Sequence, residues 1–396
     1  MKMNKCWSAD FETTTDPNDC RVWAYSLCNV ENPDEFLYGN SIEDFLEWCC
    51  ESDDNYTLYF FNLKFDGSFI ISKLLELGFT HIEDPKDKGE GLTFTTLITD
   101  MGQFYAIEIF FEVKGHKTNK VRILDAAKIF PNFSVERLAK SFGLPISKLE
   151  LDYHAYREEG HILTQEEIGY IRNDVEIVAR ALKEMFNSGL DKMTIASDAM
   201  NYFKKNFDKF DKYFPILSPE IDADIRMSYR GGFTYASDKY TEQEMGKGCV
   251  LDVNSLYPSC MKKPMPYGMP KFFEGEYEED IDYPLYIITF TCKFKVKPDK
   301  IPCIQLKNNM SFIPNMYLKS SDDEQVTLTL TSVDYELFKD QYDFWDVVYH
   351  GGWKFKQAEG LFDNYINHWM EEKITAGKEG NKGKRQIAKL MLNSLY

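Results

Sequence analysis

Strand-length apolar runs alternate with helical stripes over the first 190 residues. Runs at 6–11 and 21–29 flank the turn-forming stretch Thr13-Thr14-Thr15-Asp16-Pro17-Asn18-Asp19. Residues 42–50 carry the period of an amphipathic helix, 57–62 read as a buried strand, and 69–77 form a helix closed by Gly78. Strands are predicted at 94–98, 103–113 and 121–125. Ser134 then caps a helix that Gly143 and Pro145 stop. Thr164-Gln165-Glu166-Glu167 is a capping box, followed by the stripe Ile168, Ile171, Val175, Val178, Leu182 and Met185. Tyr170 and Asp174 lie four apart on the other side of that stripe, so the helix is expected to present them to something else. Strands with helices around them predict a mixed α/β domain over residues 1–193.

The pattern changes after about residue 194. A Tyr229-Arg230-Gly231-Gly232 pair of glycines precedes a predicted strand at 249–252, which ends in Asp252-Val253-Asn254-Ser255-Leu256-Tyr257-Pro258. A strand ending in a carboxylate, followed by such a turn, suits a metal-dependent nucleotide site. Residues 264–360 are strand-rich, aromatic and proline-punctuated, as in an insertion. Residues 375–384 read as a flexible break, and a helix resumes at Arg385. Its apolar positions have no partner visible in sequence, and its pattern stops in mid-course at Tyr396, so the chain is expected to be truncated.

The 396 residues, 43% of them hydrophobic, allow two or three domains. No apolar run approaches the ~18 residues of a membrane span. Nine cysteines without a C-x-x-C pair point to a reducing, intracellular setting and no zinc site. The net charge of −18 opposes a wholly basic nucleic-acid surface, but its distribution is uneven. Residues 1–60 hold 13 acidic and 3 basic side chains, and residues 373–389 hold 6 basic and 1 acidic. Metal dependence and a local basic groove are the expectation.

Asp10 and Glu12, two apart on a strand, project from one face. Asp66 follows a strand end, and Asp174 comes from the capped helix. Four convergent carboxylates repel one another unless cations sit between them. Two Mg²⁺ or Mn²⁺ ions ~3.5–4 Å apart would resolve that and stabilise attacking and leaving oxygens in phosphodiester hydrolysis. Singly, each of these residues reads as an ordinary strand end, turn or exposed helix face. Their order along the chain, ahead of the Asp252 stretch, favours a site.

In that order, Asp10-Phe11-Glu12, Asn62-x-x-Phe65-Asp66, Tyr170-x-x-x-Asp174, Tyr229-x-Gly231-Gly232, Asp252-x-x-Ser255-Leu256-Tyr257-Pro258 and Lys389-x-x-x-Asn393-Ser394-x-Tyr396 resemble the protein-primed family B DNA polymerases of the Bacillus-phage (phi-29-like) type. The similarity runs along essentially the whole chain and includes non-catalytic stretches such as residues 21–25. It implies a ribonuclease-H-like, DnaQ-type 3′–5′ exonuclease domain, followed by part of a palm (194–263), a terminal-protein-region insertion (264–360) and fingers (361–396). In such a chain Asp10, Glu12, Asp66 and Asp174 hold metal, Tyr170 assists, and Lys148 lies near the scissile phosphate. Thr13, Tyr59, Asn62, Phe65, Phe69 and Tyr153 grip the frayed primer, and Tyr229, Gly231 and Gly232 pass DNA between sites. Asp252 is a polymerase metal ligand and Tyr257 the sugar selector. Arg385, Lys389 and Asn393 face the triphosphate, and Tyr396 stacks on the incoming base pair.

The implied partners are DNA, deoxynucleoside triphosphates and a terminal protein primer, with no membrane, for a monomer acting in the host cytoplasm during viral replication. The chain departs from the pattern at Phe61, where the family commonly has His, and at Ala126-Ala127, in place of a Ser-Leu pair. The glycine expected after Tyr396 and the Asp-Thr-Asp strand supplying the second polymerase carboxylate do not occur in it. Two other readings stay open at this point, a stand-alone 3′–5′ exonuclease and a non-catalytic remnant that binds DNA or terminal protein.

Overall fold

The computed structural model describes residues 3–51, 55–114, 117–146, 149, 151, 152, 154–305 and 317–395. The chain forms two compact units, Met1–Lys205 with Tyr365–Tyr396, and Asn206–Asn364. The first therefore reaches beyond the 1–193 domain expected from sequence and takes in the last 32 residues as well.

In the first unit, β1 (Cys6–Thr13), β2 (Val22–Asn29), β3 (Phe36–Gly39), α1 (Ile42–Glu51), β4 (Thr57–Phe60), α2 (Leu63–Glu76) and β5 (Thr80–His81) are followed by β6 (Gly91–Ile98), β7 (Phe104–Lys114), β8 (Lys117–Asp125), α3 (Val135–Phe142), α4 (Gln165–Asn187) and α5 (Ile195–Lys205). The sheet order is β3-β2-β1-β4-β8-β7-β6-β5. The central pairs β1/β4 and β4/β8 are parallel, and β1/β2 and β7/β8 are antiparallel. Every residue of β2 is buried, which accounts for its nearly unbroken apolar run. Phe11, Phe45 and Phe60 lock one face of the sheet edge-to-face, with ring centroids 4.9 Å (Phe11–Phe45) and 5.0 Å (Phe11–Phe60) apart. Because side chains alternate along a strand, Asp10 and Glu12 face away from that cluster.

Local start and stop signals act as expected in α3 and α4. Ser134 accepts the Arg137 N–H at 3.2 Å, Gly143 ends α3 at φ 67°, and the Thr164/Glu167 capping box forms. The Tyr170/Asp174 pair that α4 is expected to present to something else is buried. Tyr170 is 1% and Asp174 5% exposed. The helix lies against β1 and β2 and is buried on more than one face, so its second side meets the sheet rather than solvent.

The second unit holds α6 (Phe210–Tyr213), α7 (Pro219–Arg226), α8 (Leu256–Met261), β9 (Met265–Phe273), β10 (Leu285–Val296), β11 (Val326–Thr331), α9 (Ser332–Gln341) and β12 (Tyr342–Ala358). Its antiparallel sheet runs β11-β10-β12-β9. One face buries Ile288, Phe290, Cys292 and Phe294 of β10, with Leu328 and Leu330, in one core with Phe338 of α9. The other face carries a hydroxyl ladder, Thr289–Thr329 at 3.0 Å and Thr291–Thr327 at 2.8 Å.

The predicted strand at 249–252 does not form. Residues 249–253 are irregular, and Val250 and Leu251 are 99% and 88% exposed. No partner strand flanks them among the described residues, and a strand without a ladder leaves its backbone groups to water.

The last two helices correct two further expectations. Most of the supposed break at 375–384 is helical, because α10 (Asp363–Lys378) runs into it and α11 (Lys382–Leu392) begins within it on an Asn381 cap. The apolar residues of α11 do have partners. Gly383, Ile387, Ala388, Leu390, Met391 and Leu392 are buried, with α3, α4 and α5 as neighbours. Tyr365 Oη also donates to the Met391 carbonyl at 2.6 Å.

Candidate active site

The acidic site is built where β4 stops short. β1 runs alongside β4 only as far as Ala9, opposite Phe60, and then continues through Asp10–Thr13 paired with β2 alone. The chain leaves β4 through Asn62, which adopts a left-handed conformation (φ 68°, ψ 57°), and starts α2 six residues earlier than the sequence suggests. Asp66 is therefore a first-turn helical residue, not a turn residue at a strand end. Its Oδ1 accepts the Phe11 N–H at 3.3 Å, filling a backbone position that β4 no longer serves.

Oxygens of Asp10, Glu12 and Asp174 lie within 4.8 Å of one another. Glu12 and Asp174 are buried and Asp10 is half-buried. Burial, and then the charges of Asp10 and Glu12, push the buried Asp66 carboxyl well above the ordinary carboxylate range. An all-oxygen donor set with excess negative charge fits a hard divalent cation. Asp10, Glu12 and Asp174 would hold it directly, with Asp66 beside them.

Around this centre, Phe65 is 51% exposed and its ring centroid lies 5.6 Å from that of the half-buried Phe69. Asn62 is exposed and its side chain makes no capping bond. Thr13 ends β1 beside a register shift. The expected grip by Tyr59 is not available. This residue is 1% exposed, its ring 5.8 Å from Phe186, because it alternates with Leu58 and Phe60 on a strand covered on both faces. Lys148, Tyr153 and Tyr396 lie outside the described residues.

Sequence reasoning missed two supports. Asp125, at the end of β8 and 4% exposed, accepts the Asn62 N–H at 3.0 Å and the Ala127 N–H at 2.9 Å. Glu167, beyond its cap role, binds Arg157 Nε and His161 Nε2, both at 2.9 Å. Arg157 in turn lies 4.4 Å over the Trp23 ring. Hydrogen bonds from Thr164, His161 and Arg157 outweigh burial and hold the Glu167 carboxyl down at about 2. The capping-box signal exposed half of this arrangement. Nothing local marked Arg157.

Of the second set of expected residues, Asp252 is exposed in the irregular stretch. Tyr257, 53% exposed in the first turn of α8, brings its hydroxyl to 3.8 Å from where a Gly232 Cβ would sit. The Ser-Leu-Tyr-Pro and Gly-Gly stretches thus meet within the second unit. Tyr229 is 72% exposed, while Arg230 is anchored by the Met227 carbonyl at 2.8 Å and the Thr329 carbonyl at 3.3 Å. Arg385 and Lys389 of α11 and Asn393 at its C-cap are exposed, in the first unit.

Fold and sequence together define the class of protein, which is that of the DNA polymerases. The chain superposes on Phi29 DNA polymerase complexed with primer-template DNA with a TM-score of 0.92 and 44% identity, covering 99% of this chain and 67% of that one. A ternary complex of the same polymerase with primer-template DNA and incoming nucleotide substrates matches with a TM-score of 0.89. The chain belongs to the family described as DNA polymerase type B, organellar and viral, which matches residues 49–396. Relatives include the DNA polymerases of Bacillus phage M2 (48% identical) and Bacillus phage phi29 (46% identical), each aligned over 99% of this chain. The chain spans about two thirds of their length, 67% in both cases. Among the described residues, no helix is long and apolar enough to cross a membrane.

Proposed function

We propose that this protein is a protein-primed viral DNA polymerase whose residues 1–193 form a 3′–5′ proofreading exonuclease domain. The observation that carries the exonuclease is the meeting of Asp10, Glu12 and Asp174 within 4.8 Å, with Asp66 held at the Phe11 N–H. All four belong to one unit. Divalent ions, Mg²⁺ or Mn²⁺, supply charge neutralisation for the attacking and leaving oxygens. The carboxylates fix where that charge sits. Tyr170, one turn before Asp174, orients the attacking water, and Lys148 steadies the scissile phosphate. Phe65 and Phe69 stack on unpaired bases while Asn62, Thr13 and Tyr153 hold the strand. The terminal 3′ phosphodiester is thereby placed in line for hydrolysis.

For synthesis, Asp252 is the proposed metal ligand and Tyr257 the ring that a ribose 2′-hydroxyl would strike. Tyr229, Gly231 and Gly232 guide DNA, and Arg385, Lys389, Asn393 and Tyr396 receive the incoming nucleotide. Residues 194–263, 264–360 and 361–396 are assigned to palm, terminal-protein-region insertion and fingers. The primer is a protein hydroxyl and the site of action the infected host's cytoplasm, with the enzyme a monomer. Asp10→Ala combined with Asp66→Ala should abolish release of a mismatched 3′ nucleotide while DNA binding persists. Undiminished excision by the double variant removes the assignment. A reading frame that continues past Tyr396 into a glycine and an Asp-Thr-Asp strand would exclude a stand-alone exonuclease, the activity whose ligands are assembled within a single unit.

A further inference from the structure

We infer that Asp125 is a positioning residue for excision, acting through Asn62 and α2; the role rests on the exonuclease reading above. Helix α2 starts without a cap of its own, since the Asn62 side chain makes no capping bond and its backbone sits in the left-handed region. Asparagine tolerates that conformation better than most residues, but holding it in place in a single geometry takes a fixed partner. Asp125 supplies that partner, through the Asn62 backbone N–H. The two residues come from neighbouring parallel strands, with Phe60 opposite Asp125 in register. As β4 ends, the Asn62 N–H turns to Asp125 Oδ1 at 3.0 Å.

The same oxygen accepts the Ala127 N–H at 2.9 Å, and Oδ2 lies 3.7 Å from Lys128 Nζ. Lys128 is itself held over the Tyr105 ring, 4.9 Å from its centroid. A carboxylate that only capped the short turn at Ala126–Lys128 would need the Ala127 bond alone. The bond to Asn62, across 63 residues of sequence, is the additional one.

Two consequences reach the acidic centre. The Asn62 carbonyl accepts the Phe65 N–H at 3.1 Å, and one residue on, Asp66 receives the Phe11 N–H at 3.3 Å. Three hydrogen bonds thus run from the end of β8 to the ligand-bearing strand β1. In addition, Asp125 engages only the backbone N–H of Asn62, and the side-chain amide, which makes no capping bond, stays available to a DNA strand. Without Asp125 the left-handed residue relaxes, the first turn of α2 shifts and the Asp66 carboxylate moves with it. Displacements of about 1 Å at a reacting centre cost on the order of 10²-fold in rate.

The test follows release of the 3′ nucleotide from a 5′-labelled single-stranded oligodeoxynucleotide by the 396-residue chain, titrated with Mg²⁺. Asp125→Ala should lower kcat about 10–100-fold and raise the half-saturating Mg²⁺ concentration, with the circular dichroism spectrum of the folded chain retained. Asp125→Asn keeps an acceptor in place and should stay within about threefold of the parent. Asp125→Glu keeps the charge but displaces the oxygens, and should resemble the alanine variant. If Asp125→Ala does not fold, the contrast between Asn and Glu decides the matter. An inactive parent chain sinks the exonuclease reading itself. An active parent with unimpaired Asp125→Ala and Asp125→Glu variants overturns this inference alone.

Discussion

Removing one charge from the acidic centre without removing volume tests the electrostatic account directly. At 4.8 Å and an effective dielectric of about 20, two like unit charges repel by about 3.5 kcal/mol. The three pairs among Asp10, Glu12 and Asp174 therefore represent on the order of 10 kcal/mol when all are ionised. Asp66 feels the same field, and its raised carboxyl fixes the sign of the pH dependence. A group whose folded pKa lies above its unfolded value contributes stability at low pH. That contribution is lost as pH rises from about 3.8 through the folded value. At neutral pH without metal, Asp66 is thus a destabilising residue.

Asp66→Asn, which keeps an acceptor for the Phe11 N–H, should melt at or above the parent in EDTA at pH 7, and the difference should vanish in acid. A divalent cation at 100 times its dissociation constant adds about 2.7 kcal/mol to the parent, which for a unit of this size is about 5–10 °C in Tm. In Asp66→Asn that shift should shrink to less than half. Melting curves by circular dichroism in EDTA, Mg²⁺ and Mn²⁺ read both effects. A parent whose Tm is the same with and without cation, or a variant that is less stable in EDTA, refutes the reasoning.

Phe65→Ala should weaken binding of a single-stranded 3′ end by about 1–3 kcal/mol, as the loss of one stacking face does. Because the ring is 51% exposed, Tm should hardly change; fluorescence anisotropy with a labelled oligonucleotide separates the two. Glu167→Gln should destabilise the first unit at pH 7 by no more than about 3 kcal/mol, from a carboxyl held at about 2 instead of 4.5. The depressed value puts this stabilisation above pH 4.5, and it should fade as pH falls toward 2 in a series of denaturant titrations. Phe290→Ala, within ~6 Å of the Tyr335, Phe338 and Tyr349 rings, should cost the second unit about 3–5 kcal/mol in the same titrations.

Much of the first unit was readable because its signals are local. Strand-length apolar runs announced β1, β6, β7 and β8, and Ser134, Gly143 and Thr164 marked helix ends through bonds they make to their own neighbours. The acidic centre was legible as residue types in order, and the structure brings Asp10, Glu12 and Asp174 together. What local signals could not show was long-range. The start of α2 depends on Asp125, 63 residues away, so the sequence alone put the helix six residues too late. The burial of Tyr59, Tyr170 and Asp174 depends on what covers both faces of a central sheet. Periodicity also credits residues 249–252 with a strand, although a strand exists only where a neighbour accepts its ladder.

The docking of α11 on α3, α4 and α5 has a consequence for the order of events on the ribosome. Ile387, Ala388 and Met391 are made some 180 residues after α5, and the whole of Asn206–Asn364 emerges in between. The surface awaiting those side chains stays wet and greasy throughout that interval. A nascent chain halted near residue 205 would therefore be stickier than one extended past α11, and the first unit closes only after the whole of the second has been made.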